Sequence, residues 1–328
     1  MDEDFAVVFR DTDYFFLVYN RMQRNLAAMS APVTRHKVAV VGDPTEVLCV
    51  GKSLQEAPEN LVLFIPGNPG VASYYTSTMQ SLYTLLGGTH AVWTVSHAGH
   101  CLALPSLWPG RQHVYDLEQQ VWHKIAFIEY HVPRGTKLTL VGHSIGCHII
   151  LRLLNHFQHR PNVTISRTFM LFPTIERMKE TPNGRKLWPV LCYLRWLVVL
   201  LAWAVSLLPG KLKDAVLEWH FGADVAPCCV GATRELLHAR VVQNMLWMAH
   251  SELLQVVQLD VETVERHKNK IMLYYGASDG WCPQTYLEDM RTRVDGVQAV
   301  LCEDGSEHAF VLRHSRQTAE KLARWIKS

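Results

Sequence analysis

No charge of one sign dominates any stretch of the 328-residue sequence. Thirty-two Lys and Arg nearly balance thirty Asp and Glu, for a formal net charge of +2. No basic block or stripe stands out, which excludes the electrostatic footprint of a nucleic-acid binder. The eight cysteines are scattered, and none falls in a CxxC or CxxH spacing. That excludes the usual zinc modules and the disulfide framework of a small secreted domain. Reduced thiols in a cytosol-facing protein are expected instead. The start is acidic (Asp2, Glu3, Asp4) and the apolar stretch at residues 15–19 is short, so it lacks the basic start and longer apolar run of a secretory signal. The sequon Asn162-Val163-Thr164 is accordingly read as unused. There are no internal repeats and no low-complexity tracts.

What is present is an alternation of short apolar runs with helical patterns, the mark of a mostly parallel sheet covered by helices. Strands are expected at residues 36–41, 45–50, 61–65, 91–95, 137–141, 168–172, 271–275 and 298–302. The first two are joined by a turn at Gly42-Asp43-Pro44. Helices are expected at residues 117–130, from 145 through Leu154, and at 317–326. Residues 1–32 fit the rest poorly and read as an extension of little order, with Met29-Ser30-Ala31 resembling an internal start. The pattern divides the remainder into a core of 33–172 with 269–328, and an inserted lid of 173–268 after the sixth strand. A lid there would sit over the carboxyl ends of the strands, where open α/β sheets bind ligands.

Gly142-His143-Ser144-Ile145-Gly146 is a G-x-S-x-G between an apolar strand and an apolar helix. That context makes it a nucleophile elbow: Ser144 sits on a sharp strand-to-helix turn, with Gly142 and Gly146 allowing the neighbouring chain to approach. A serine hydroxyl is a weak nucleophile until a base takes its proton and an acid orients that base. In this fold the chain order is Ser, acid, His. Asp279, just past the 271–275 strand, and His308, after the last strand, fall in that order. Glu176 is the alternative acid. The oxyanion of a tetrahedral intermediate needs two N–H donors, expected from Ile145 and from Asn68, because Pro69 has none to offer. His97, His100 and His143 are expected to line the pocket. No cofactor and no metal is expected. Gly51-Lys52-Ser53 is no phosphate loop, since Glu46 stands where that motif needs glycine.

Residues 187–209 form by far the most apolar stretch. Arg195 near its middle would cost roughly 2.5–3.5 kcal/mol at a bilayer centre. The uncharged part, 196–208, would be about 20 Å long as a helix, short of a bilayer core of about 30 Å. Topology objects more strongly. Ser144 precedes the segment while Asp279 and His308 follow it, so a single crossing would split the triad across the membrane. Either an interfacial anchor or a buried lid helix is expected, with Trp188, Trp196 and Trp203 near the headgroups in the first case. Lys211 and Lys213 just beyond favour an anionic surface.

Several longer strings resemble the lipid-droplet-associated hydrolase family. They are Phe64-Ile65-Pro66-Gly67-Asn68-Pro69-Gly70, Trp93-Thr94-Val95-Ser96-His97-Ala98-Gly99-His100, the segment from Val141 to Gly146, and Leu171-Phe172-Pro173-Thr174-Ile175-Glu176-Arg177-Met178. Pro182-Asn183-Gly184-Arg185, Tyr274-Tyr275-Gly276, Asp279-Gly280-Trp281-Cys282-Pro283 and His308-Ala309-Phe310 continue the match, from about residue 33 to the C-terminus. The resemblance implies an α/β-hydrolase fold, residence on lipid droplets and the endoplasmic reticulum facing the cytosol, and an esterase acting on neutral lipids such as cholesteryl esters. It carries the nucleophile, acid and base to Ser144, Asp279 and His308, and the droplet anchor to the apolar lid segment. The N-terminal extension, and Gly280 where the family pattern suggests Pro, are departures. Two other readings stay open: a lipid-droplet scaffold or lipid-binding protein with little turnover, and a thioesterase or other acyl transferase.

Overall fold

A computed structural model describes residues 31–101, 113–160, 162–222 and 225–328. The expected N-terminal extension thus lies almost entirely outside the described residues. Eight strands form one sheet: β1 (Val33–Val40), β2 (Asp43–Val50), β3 (Asn60–Ile65), β4 (Ala91–Val95), β5 (Lys137–His143), β6 (Thr164–Leu171), β7 (Ile271–Tyr275) and β8 (Gln298–Leu301). Their spatial order is β1-β2-β4-β3-β5-β6-β7-β8. Only the pairings β1 with β2 and β2 with β4 are antiparallel.

The inner strands are near-continuous apolar runs because helices cover both faces of a parallel sheet. All five residues of β4 (AVWTV) are buried, as are the last five of β3. The edge strand β1 instead alternates exposed and half-buried residues. Its hairpin turn falls one residue earlier than expected. Val41 and Gly42 carry positive φ (53° and 85°), and Asp43 already belongs to β2. Two consecutive left-handed residues match the right-handed twist of the flanking strands. β6 begins four residues before the expected Thr168, and Phe172 leaves it with φ of 50°.

The covering helices are α1 (Thr76–Leu85), α2 (Leu117–His131), α3 (Ile145–Phe157), α10 (Gln284–Arg293) and α11 (Ser315–Lys327), with α4–α9 between β6 and β7. α2 starts on a reciprocal capping box between Asp116 and Gln119, which satisfies two backbone donors otherwise orphaned at a helix start. α1, unread in the sequence, buries only Thr78, Met79 and Leu82.

Residues 173–268 contain no strand among those described. The segment runs through α4 (Pro182–Pro189), a π-helical turn (Val190–Leu194), α5 (Arg195–Ser206), α6 (Gly210–Phe221), α7 (Pro227–Leu236), α8 (Ala239–Gln255) and α9 (Val261–His267). Pro189 has no N–H to give the helix, and the wide turn absorbs the break. From Pro182 to Ser206 the chain is one helical stretch of 25 residues, long and apolar enough to cross a membrane by length and composition. This exceeds the short uncharged run read from the sequence. Yet β6 before it and β7 after it pair in parallel in one sheet, so both ends of the insertion return to the same body. A single crossing is excluded by geometry.

Candidate active site

The end of β5 delivers Ser144 with φ 54° and ψ −123°, a left-handed backbone that costs energy for a non-glycine residue. The turn holds because Ser144 N–H donates to the Leu171 carbonyl on β6 (3.0 Å) and because α3 can crowd the neighbouring strand. A Cβ on Gly146 would stand 2.2 Å from the Ile65 carbonyl oxygen and 2.7 Å from that of Pro66. Only glycine fits there.

Ser144 Oγ lies 2.9 Å from His308 Nε2, and His308 Nδ1 lies 2.6 Å from Asp279 Oδ2. Three segments far apart in sequence therefore meet: the elbow after β5, the loop after β7 and the loop after β8. Asp279 is buried and heavily solvated by protein. Its Oδ1 accepts the Trp281 N–H (2.7 Å) and Cys282 N–H (3.2 Å), and its Oδ2 accepts the Cys282 thiol (3.1 Å). Burial pushes the carboxyl pKa up, but these bonds and the His308 imidazole hold it below the usual value. Burial and the adjacent carboxylate keep the Cys282 thiol protonated, hence a donor. The ligand atoms of Asp279, Cys282 and His308 lie within 4.8 Å of one another, and hydrogen bonds join them, the Cys282 thiol and His308 Nδ1 both meeting Asp279 Oδ2. Glu176 is elsewhere: its carboxylate pairs with Arg177 (2.9 Å) and Arg293 (3.1 Å).

In the loop after β3, the Gly67 N–H donates to Tyr75 Oη (2.9 Å) and the Gly70 N–H to His100 Nδ1 (3.0 Å). Pro69 has no donor, so the Asn68 N–H is the loop's uncommitted one. The Ile145 N–H is the first of α3, and the first N–H groups of a helix have no intrahelical partner. The Asn68 side chain is tied to the lid, with Nδ2 donating to the Met245 carbonyl (3.0 Å) and to Glu252 Oε1 (2.9 Å). Nothing local in the sequence around Glu252 signals that bond.

His97 and His100 depart from the expectation that they line the pocket. Both are fully buried behind the loop. A Cβ on Gly70 would fall 2.1 Å from His97 Cδ2, so the His97 ring packs directly on that glycine, while His100 accepts its N–H. Burial depresses both histidines, His100 to about 3, leaving neutral rings that brace the loop. His143 does line the cavity beside the site. The cavity measures about 290 Å³ and is walled by Asn68, Tyr74, His143 and His308 from the core and by Phe221 and Leu236 from the lid, among others.

Strand order, elbow and inserted helices together define an α/β-hydrolase. Solved structures agree on the fold. A haloalkane dehalogenase loop variant from Bradyrhizobium elkanii superposes with a TM-score of 0.61 at 14% identity, covering 90% of this chain and 97% of its own. An aryl esterase described as putative, from Burkholderia cenocepacia, gives 0.56 at 16% identity, over 90% and 98%. The family profile described as lipid-droplet associated hydrolase matches residues 58–311, and the chain belongs to that family. The lipid droplet-associated hydrolase of Gallus gallus is 32% identical over 93% of this chain and 98% of its own. That of Mus musculus is 36% identical over 83% and 86%, and that of Homo sapiens 32% over 90% and 95%.

Proposed function

We propose that this chain is a serine carboxylic ester hydrolase acting on neutral-lipid esters at the lipid-droplet surface, with cholesteryl esters among its candidate substrates. The observation that carries the reading is the hydrogen-bonded series Ser144 Oγ, His308, Asp279 beside an apolar cavity. The Ser144 proton passes to His308 Nε2 as Oγ bonds to the ester carbonyl carbon, and the carbonyl π pair moves onto oxygen. The Asn68 and Ile145 N–H groups receive that oxyanion; one such donor is worth roughly 2.7–4 kcal/mol of barrier. The carbon–alkoxy bond then breaks, the alcohol takes the proton from Nε2, and an acyl group remains on Ser144. Water, deprotonated by the same imidazole, reverses these steps and releases the acid. Asp279 stays ionised and holds the imidazole in its Nδ1–H tautomer.

Attachment to the droplet rests on where apolar side chains are left uncovered. Among the described residues, all the exposed large hydrophobics except Val41, Leu85, Trp122 and Tyr130 lie between residues 187 and 257. Trp196 is 66% and Trp219 84% exposed. That concentration of exposed apolar side chains within one insertion supports a segment lying in the headgroup region, facing the cytosol on the droplet or the endoplasmic reticulum. Purified protein should release fatty acid from emulsified neutral-lipid ester, and Ser144→Ala should not. Equal release by both would end the esterase reading; lipid binding without release by either would favour the scaffold.

A further inference from the structure

Resting on the catalytic reading of Ser144 and His308, we infer that His143, immediately before the nucleophile, is a positioning residue that fixes both the base and the oxyanion loop through its two ring nitrogens. Its Nε2 lies 2.8 Å from the backbone carbonyl oxygen of His308, and its Nδ1 lies 2.7 Å from Tyr75 Oη. The directions are forced by the groups themselves. A carbonyl oxygen only accepts, so Nε2 carries the proton and donates. Nδ1 of the neutral ring must then accept, so Tyr75 donates to it. Tyr75 in turn accepts the Gly67 N–H at 2.9 Å. Tyr75 Oη both donates and accepts, and the series runs from the residue before Asn68, through Tyr75 and His143, to the backbone of the base.

The surroundings ask for none of this on packing grounds. The imidazole is enclosed by the rings of Tyr75, Phe172, Phe310 and His308, with centroids 4.9–6.3 Å away. An apolar side chain of similar volume would fill such a box without bringing polar atoms that must be satisfied. What the histidine adds is two directed hydrogen bonds at fixed separation on a rigid ring. Because His143 and Ser144 share a peptide bond, the anchor for the His308 carbonyl moves with the nucleophile, and the Oγ–Nε2 spacing is set across a short rigid path. Burial depresses the His143 pKa to about 3, with the His308 charge adding to the effect. The ring therefore stays neutral when His308 becomes an imidazolium 5.4 Å away, and adds no repulsion.

The test compares His143→Gln and His143→Asn in the full chain, using p-nitrophenyl butyrate turnover and the rate of fluorophosphonate labelling at Ser144. The glutamine amide reaches where Nε2 stood and can donate to the His308 carbonyl. The asparagine amide reaches only as far as Nδ1. Expected is a kcat lower by about a hundredfold in His143→Asn, the cost of misplacing a catalytic group by about 1 Å, with KM unchanged and substantial rescue in His143→Gln. Tyr75→Phe, which keeps the packing but loses the donor to Nδ1 and the acceptor for Gly67, should also lower kcat without raising KM. It decides the matter if the asparagine variant does not fold. Equal kcat in all variants, or a loss confined to KM, overturns the inference while normal wild-type labelling leaves the catalytic reading intact. Absence of any Ser144 adduct in the wild-type protein overturns the catalytic reading and this inference with it.

Discussion

Glu252 offers a quantitative test of how the lid is fastened to the core. It stands on α8, only 4% exposed, and accepts a hydrogen bond from Asn68 Nδ2. Burial raises its carboxyl from 4.5 to about 7, the Asn68 bond opposing only weakly. Between pH 4.5 and 7 the folded chain keeps a proton that the unfolded chain releases, so stability is greatest below 4.5 and falls as pH rises through 7. The difference of about 2.5 units, at about 1.36 kcal/mol each, gives a total loss on the order of 3 kcal/mol. Glu252→Gln keeps an acceptor carbonyl for Asn68 and removes the titration. Urea unfolding of both proteins at pH 5, 6, 7 and 8, followed by tryptophan fluorescence, should show the variant gaining about 2.5 kcal/mol on the wild type from pH 5 to 8, the rest of the loss falling below pH 5. A wild-type-to-variant difference that stays constant across that range would refute the reasoning, because the carboxyl would then not titrate in the window its burial dictates.

Other consequences are as direct. Asp279→Asn should fold and bind substrate but lose roughly four orders of magnitude in kcat, because the imidazole loses its enforced tautomer; steady-state hydrolysis of a soluble ester measures it. Gly146→Ala, which puts a methyl 2.2 Å from the Ile65 carbonyl oxygen, should cost about 3 kcal/mol or prevent folding, seen as a lowered thermal midpoint. Replacing Trp196 and Leu200 together with Glu should weaken binding to phosphatidylcholine vesicles at least tenfold, since each side chain contributes about 1.5–3 kcal/mol when buried. Soluble-ester turnover should be unchanged by that pair.

The sheet was legible because its strands are apolar runs closed by turn residues: β4 and β7 fall on the expected bounds. The elbow was legible because strand, G-x-S-x-G and helix are contiguous. Asp279 and His308 could be picked out by chain order together with their places just past strand ends, order alone leaving Glu176 as an alternative acid, and the structure brings them together with Ser144. α1 escaped because a TSTMQSLYTL sequence has weak helix propensity and a narrow apolar face; its helix is imposed by packing. The roles of His97, His100 and Glu252 escaped for a different reason. Each depends on a loop 27 or more residues away, 184 in the case of Asn68 and Glu252. Sequence places a histidine near a site, but only the fold tells whether it faces the cavity or supports the loop from behind.

The claim on which everything else stands is an activated serine at position 144. It is tested most directly by treating the full chain, in detergent, with a fluorophosphonate and locating the adduct by peptide mass spectrometry. The account predicts one adduct, on Ser144, lost in Ser144→Ala and strongly slowed in His308→Ala. A folded wild-type protein that takes up no label, or labels equally well without His308, would contradict it.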